Sequence, residues 1–194
     1  MAPPAGAATR ILAFGDSLTA GLGLTPGQAF PARIQARLAA EGIAAEVVNA
    51  GVSGDTSADG LARLDWALAD RPDAVVLELG ANDALRGIDP KVTYANLDQI
   101  LTRLQASGAK VLLVGMLAPP NWGRDYQREF DAIYRRLADK YRVPLYPFIL
   151  DGVVLQPQLF QQDGLHPNAA GAEVIAEKMT PYVARLIRDK GGEG

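Results

Sequence analysis

The hexapeptide AVVLEL at residues 74–79 decides the fold. A mostly apolar, β-branched run of this length, closed by Gly80, reads as a strand buried on both faces, the kind found in parallel sheets. Outward from it the same signal recurs. Residues 10–14 (RILAF, closed by Gly15), 45–50 (AEVVNA), 110–116 (KVLLVGM) and the short 143–146 read as four further strands. Helical spacing fills the intervals. Residues 30–41 carry Pro31 in the first turn, Ile34 and Leu38 one turn apart, and Gly42 as a stop. Residues 57–70 form a second helix, on which Leu61, Leu64, Trp66 and Leu68 read as the core face. Residues 90–107 place Leu97, Ile100, Leu101 and Leu104 on one side before Gly108; 125–141 and 168–190 complete the set, the last with a bend expected at Pro181.

Strands alternating with helices predict an α/β protein: a three-layer α/β/α sandwich around a flavodoxin-like, doubly wound, parallel five-stranded sheet. No linker or repeat interrupts the pattern, so residues 1–194 read as one domain, with 1–9 and 191–194 as flexible tails.

Composition narrows the chemistry. The chain has 194 residues, a formal net charge of −3, one histidine and no cysteine. Without cysteine there is no disulfide framework, thiolate metal site or cysteine nucleophile, and one histidine excludes polyhistidine metal sites. An all-carboxylate site for a hard cation stays open on composition alone; no cofactor is expected. Mild acidity without a basic stretch argues against nucleic acid as a partner, and no window holds the ~18 apolar residues of a membrane span. The first ten residues have neither a basic region nor an apolar core, so no signal peptide is read there. P-loop and dinucleotide-binding glycine patterns are absent, as is the G-x-S-x-G elbow of ordinary α/β-hydrolases.

In a parallel sheet, the turns leaving the strands collect along one edge. Here they carry Gly15-Asp16-Ser17-Leu18, then Gly51-Val52-Ser53-Gly54-Asp55-Thr56, then Gly80-Ala81-Asn82-Asp83. Asp163-Gly164-Leu165-His166, before the last helix, can close the same cleft. These residue types suit acyl transfer. A serine needs a base to become nucleophilic, and His166 is the one imidazole available. Of four serines, Ser107 sits at a helix end near the opposite edge, and helix capping accounts for Ser53 and Ser57. Ser17 remains, beside a glycine that lets the chain turn sharply. Asp163, three residues before His166, can orient the ring. The backbone N–H groups of Ser17 and Gly51 and the Asn82 amide are candidate donors to an oxyanion. Asp16 reads as a residue bonding neighbouring turns.

Taken in order, the strings FGDSLTAG, NAGVSGDT, LELGANDALRG and QQDGLHPNAAG resemble the signature blocks of the SGNH (GDSL) hydrolase family, over residues 11–171. The likeness is to the branch of bacterial arylesterases and thioesterase I/lysophospholipase L1 enzymes. The resemblance implies Ser17 as nucleophile, Asp163 and His166 as its partners, and Ser17, Gly51 and Asn82 as the oxyanion hole. It also implies a metal-free serine hydrolase acting on a small-molecule ester, and a periplasmic or secreted location. The expected substrates are aryl and short-to-medium acyl esters; no basic cluster suits a coenzyme A phosphate. Met116, Leu117, Pro119, Pro120 and Trp122, after the fourth strand, are expected to wall the acyl chain, and residues 155–162 the other side. Two alternatives stay open: an acyl-CoA thioesterase or lysophospholipase of the same family, and a non-catalytic flavodoxin-like ligand-binding module.

Overall fold

The structure, a computed structural model, describes residues 8–189. Five parallel strands, β1 (Thr9–Gly15), β2 (Ala45–Gly51), β3 (Ala74–Glu78), β4 (Lys110–Val114) and β5 (Leu145–Tyr146), form one sheet in the order β2-β1-β3-β4-β5. Seven α-helices connect them: α1 (Ser17–Ala20), α2 (Phe30–Ala40), α3 (Ser57–Ala67), α4 (Ala81–Arg86), α5 (Pro90–Ser107), α6 (Arg124–Tyr141) and α7 (Ala169–Arg188). Helices α2 and α7 pack together in one layer, and α5 packs on both α3 and α6 in the other. This is the doubly wound α/β architecture that the strand–helix alternation predicts.

Burial follows the sequence pattern. Every residue of β3 is buried, as are the last five of β1 and the last four of β4. The edge strand β2 has no fully buried residue, and its apolar Val47 and Val48 are half-buried. The core is filled from the helices by Ile34, Leu38, Leu97, Ile100, Leu101, Leu104, Phe130, Ile175 and Met179.

Several details depart from the sequence reading. The turns after β1 and β3 are not loops but the short helices α1 and α4. Asp16 caps α1 by accepting the Leu18 N–H at 2.9 Å. Gly80 leads into α4 at φ 118°, where a Cβ would also strike the Tyr134 hydroxyl. Trp66 is not core: it is 78% exposed. The buried stripe of α3 runs through Gly60, Leu64 and Ala67, and Trp66, two residues after Leu64, lies about 200° round the helix from it. Thr56, not a serine, caps α3, accepting the Asp59 N–H. Helix α7 continues through Pro181. Of the tail read over 1–9, Thr9 already belongs to β1; residues 1–7, the tail read over 191–194 and the last residue of the final predicted helix lie outside the described residues.

Candidate active site

The strand order places the topological switch point between β1 and β3, where the chain first steps outward to β2 and then back across to β3. The crevice at the carboxyl ends of those two strands is where ligands of such sheets bind. Ser17 opens α1 directly beyond β1, and Asn82 lies in the first turn of α4 just beyond β3.

Ser17 is largely buried, at 8% exposure, and its Oγ lies 2.9 Å from His166 Nε2. The two residues are 149 positions apart in the chain. On the far side of the ring, Nδ1 donates to Asp163 Oδ2 at 2.6 Å. That acceptor holds the imidazole proton on Nδ1, leaving Nε2 free to accept the Ser17 hydroxyl proton. The other carboxylate oxygen of Asp163 accepts the backbone N–H of Leu165 at 2.9 Å and of His166 at 3.0 Å. The His166 N–H first, its ring second and the Leu165 N–H third hold the Asp163 carboxyl down to a pKa of about 2. The carboxylate is therefore charged throughout the range in which an imidazole can act as a base.

The loop carrying these residues is tied down on both sides. The His166 carbonyl accepts the Gln161 N–H at 2.8 Å, Phe160 and Pro167 form an antiparallel bridge, and Asn168 caps α7 through Ala170 and Gly171.

The N–H groups expected as oxyanion donors belong to Ser17, Gly51 and Asn82. The Ser17 N–H is in the first turn of α1, where helical N–H groups have no intrahelical acceptor. The Gly51 N–H donates to Asn49 Oδ1 at 3.0 Å. The Asn82 amide donates to the Asp55 carbonyl at 2.9 Å and lies 3.4 Å from Asp16 Oδ2. Asn49 in turn donates to the Thr19 carbonyl at 2.8 Å, stitching β2 to α1. Gly51 packs so close to α1 that no side chain fits there.

Sequence reasoning brought out none of Asn49, Thr19, Glu78 or Arg63. Arg63 donates to Asp55 at 2.6 Å and to the Gly15 carbonyl at 2.9 Å, with its guanidinium 4.1 Å above the Phe14 ring. Glu78 is the one charge in a strand that is otherwise apolar, and that misfit is the signal that marks it.

The expected acyl wall is only partly at the surface. Met116 belongs to the core. Leu117 and Trp122 are exposed; the Trp122 indole donates to the Ala84 carbonyl at 2.8 Å and its ring lies over Gly87, against α4. Pro119 is half-buried. Residues missed beforehand, Leu18, Leu22 and Leu24, form with Phe30 and Ile175 a small apolar hollow beside Ser17 and His166. Leu18 lies in α1 and Leu22 and Leu24 in the turns that follow it, so no period marks them in the sequence.

A hydroxyl, imidazole and carboxylate in line beside backbone and amide donors is an arrangement for acyl transfer. Comparison with known proteins agrees. The family model of the GDSL-like Lipase/Acylhydrolase family matches residues 13–174. The chain belongs to this family. It is 44% identical over 182 residues to Esterase TesA of Pseudomonas aeruginosa, covering 93% of this chain and 90% of that protein. It is 42% identical over 184 residues to Thioesterase 1/protease 1/lysophospholipase L1 of Escherichia coli K12, covering 94% and 87%. Among solved structures it resembles the psychrotrophic esterase EstA of Pseudoalteromonas sp., inhibited there by monoethylphosphonate. That similarity has a TM-score of 0.88 at 31% identity, over 93% of this chain and 100% of that one. The chain is an enzyme of this hydrolase family. Among the described residues no group of acidic and histidine side chains could hold a metal ion, and no helix is long and apolar enough to cross a membrane.

Proposed function

We propose that the enzyme hydrolyses aryl and short-to-medium acyl esters through an acyl-enzyme formed on Ser17. The observation that carries this reading is the unbroken chain from Ser17 Oγ through His166 to Asp163, at 2.9 and 2.6 Å. As Ser17 Oγ attacks the ester carbon, His166 Nε2 takes its proton, and Asp163 stabilises the resulting imidazolium. The carbonyl oxygen becomes an oxyanion and is met by the N–H groups of Ser17 and Gly51 and by the Asn82 amide. For that, the Gly51 and Asn82 donors turn or bifurcate from their internal acceptors. His166 then protonates the departing alkoxide or phenoxide. In the second half it takes a proton from water, whose oxygen attacks the acyl carbon; the bond to Ser17 Oγ then breaks, His166 returns the proton to that oxygen, and the acid leaves.

The hollow at Leu18, Leu22 and Leu24, about 10 Å³, is too small to enclose an acyl chain, but its apolar rim and the exposed Leu117 and Trp122 suit a modest acyl or aryl group lying over them better than a charged one. A second reading, a thioesterase or lysophospholipase, is favoured by the name of the E. coli relative. Both are tested by measuring turnover of p-nitrophenyl butyrate, palmitoyl-CoA and a lysophospholipid by wild type and Ser17→Ala. The proposal expects the phenyl ester to be turned over fastest, with turnover abolished in the variant. Faster turnover of the thioester or lysolipid selects the second reading, and turnover that survives Ser17→Ala defeats both.

A further inference from the structure

Asp16 and Glu78 lie together under the nucleophile, and the mechanism above uses neither. Asp16 is 0% exposed and Glu78 1%. Glu78 ends β3 opposite Gly15 of β1, and its carboxylate lies over that glycine, where a Cβ would come within 2.7 Å of Oε2. Asp16 is the next residue along, so the pairing of β1 with β3 brings two buried carboxyls together. Glu78 also accepts the Thr19 hydroxyl at 2.8 Å.

No cation compensates the pair among the described residues. Arg63, which reaches the same turn, gives Nε to Asp55 and Nη2 to the Gly15 carbonyl, while its Nη1 is buried without a partner and bonds neither carboxyl. Two adjacent buried carboxylates cannot both stay ionised in such surroundings.

The pair is wired to the oxyanion donors on both sides. Asp16 Oδ2 stands 3.4 Å from the Asn82 amide. Glu78 accepts from the Thr19 hydroxyl, the Thr19 backbone carbonyl accepts from the Asn49 amide, and Asn49 Oδ1 accepts the Gly51 N–H.

We propose that Asp16 and Glu78 share a single proton, carried by Asp16, and that this proton positions the oxyanion hole of the esterase reading given above. With Asp16 neutral, its oxygen is a weak acceptor, the Asn82 amide is left to the reacting oxygen, and only one negative charge stands behind it. When Asp16 ionises, it competes for the Asn82 N–H and opposes the developing oxyanion. Burial pushes both carboxyls up, the charge of Glu78 adds to the rise at Asp16, and the Thr19 hydroxyl favours a charged Glu78 by donating to it, which supports one proton on the pair.

The other ionisable groups facing the pair are few. Arg63 and Asp55 form their own ion pair, and Asp83 on α4 accepts from Ser57 and Thr93. Tyr134 on α6 is buried, donates to the Leu79 carbonyl and is kept neutral by desolvation. His166 favours the ionised form of Asp16 when it becomes charged.

The test has two arms. The first is infrared difference spectroscopy at pH 8, comparing wild type with Asp16→Asn and Glu78→Gln. A protonated-carboxyl stretch in wild type that disappears in Asp16→Asn is expected, and its absence from folded wild type overturns the proposal. The second arm is kcat against pH with p-nitrophenyl butyrate. In Glu78→Gln the lost charge lets Asp16 ionise more easily, so the alkaline decline of kcat moves at least about one pH unit lower. Its kcat at pH 8.5 then falls about tenfold, a fraction of the ~10²–10³ carried by a whole oxyanion donor.

Asp16→Asn still caps α1, and its alkaline decline disappears, because the group that contacts Asn82 no longer titrates. If both variants lose kcat by one factor at every pH, the pair is merely structural and the proposal falls. A folded wild type that shows the carboxyl band yet cleaves no ester upholds the shared proton and defeats the esterase reading instead.

Discussion

Adding one methyl group at Gly51 tests the site most severely. A Cβ there would lie 2.2 Å from the Ala20 nitrogen, 2.7 Å from the Ala20 Cα and 2.7 Å from the Thr19 carbonyl carbon. All three atoms are backbone of α1, so no side chain can swing aside. To reach the 3.0 Å that real Cβ contacts respect, the helix and the Gly51 turn must part by 3.0 − 2.2 = 0.8 Å. Ser17 begins that same helix, and the Gly51 N–H belongs to the displaced peptide, so the movement falls on nucleophile and donor together. Misplacement of about 1 Å costs on the order of 10²-fold in rate, and overpacking costs about 1–3 kcal/mol of stability. For a domain of this size each kcal/mol lowers Tm by roughly 2–4 °C. Gly51→Ala should therefore lose about 10²-fold in kcat on p-nitrophenyl butyrate and melt several degrees early. Gly27→Ala, whose Cβ would meet nothing within 4 Å, should do neither. A folded Gly51→Ala enzyme with kcat within about threefold of wild type would show that α1 does not hold the nucleophile as described.

Asn82→Ala should lower kcat by ~10²–10³ with KM little changed; a loss below about twofold removes Asn82 from the oxyanion hole. Stability should have two opposing pH limbs, read as Tm against pH. Asp163, held down to about 2, contributes stability that is in place above about pH 4 and is lost as pH falls toward 2. Asp16, raised by burial, binds its proton more tightly folded than unfolded, so its contribution is complete below about pH 4 and is lost as pH rises through its folded value. Tm should thus decline on the alkaline side in wild type and stay flatter in Asp16→Asn; an equally flat wild type refutes the buried proton. Trp66→Ser should change stability by no more than about 0.5 kcal/mol, whereas Leu64→Ala on the same helix should cost about 2–5 kcal/mol. Urea denaturation of the two checks the assignment of faces.

Much of the scaffold was legible because burial wrote it into local composition. The runs at β1, β3 and β4 are apolar because both faces are covered, and Gly108 and Pro90 mark the ends of α5 by local backbone chemistry. Trp66 was misread because size suggested burial, while the phase of α3 is set by the smaller Gly60, Leu64 and Ala67. The helices α1 and α4 were missed because four to six residues carry no period; a cap at Asp16 and a left-handed Gly80 make them.

The site divides along the same line between local and distant causes. Asp163 and His166 form a self-contained unit: one carboxylate oxygen takes two backbone N–H groups within three residues, and the other takes the ring. A four-residue string suffices to specify that geometry, so Asp163-Gly-Leu-His166 could be read directly. Ser17 is readable for the same reason, standing at a turn whose glycine and cap are its neighbours. The oxyanion side has no such string. Gly51 is held through Asn49, Asn49 through Thr19, Thr19 through Glu78, and Glu78 lies against Asp16 only because β1 and β3 are paired. Each link crosses between elements that meet only after the sheet has formed. A lone glutamate in an apolar strand is the trace such a network leaves in sequence, and its cost in burial is what makes it informative: an uncompensated buried charge that persists in a well-packed sheet is paired with something the local sequence does not contain.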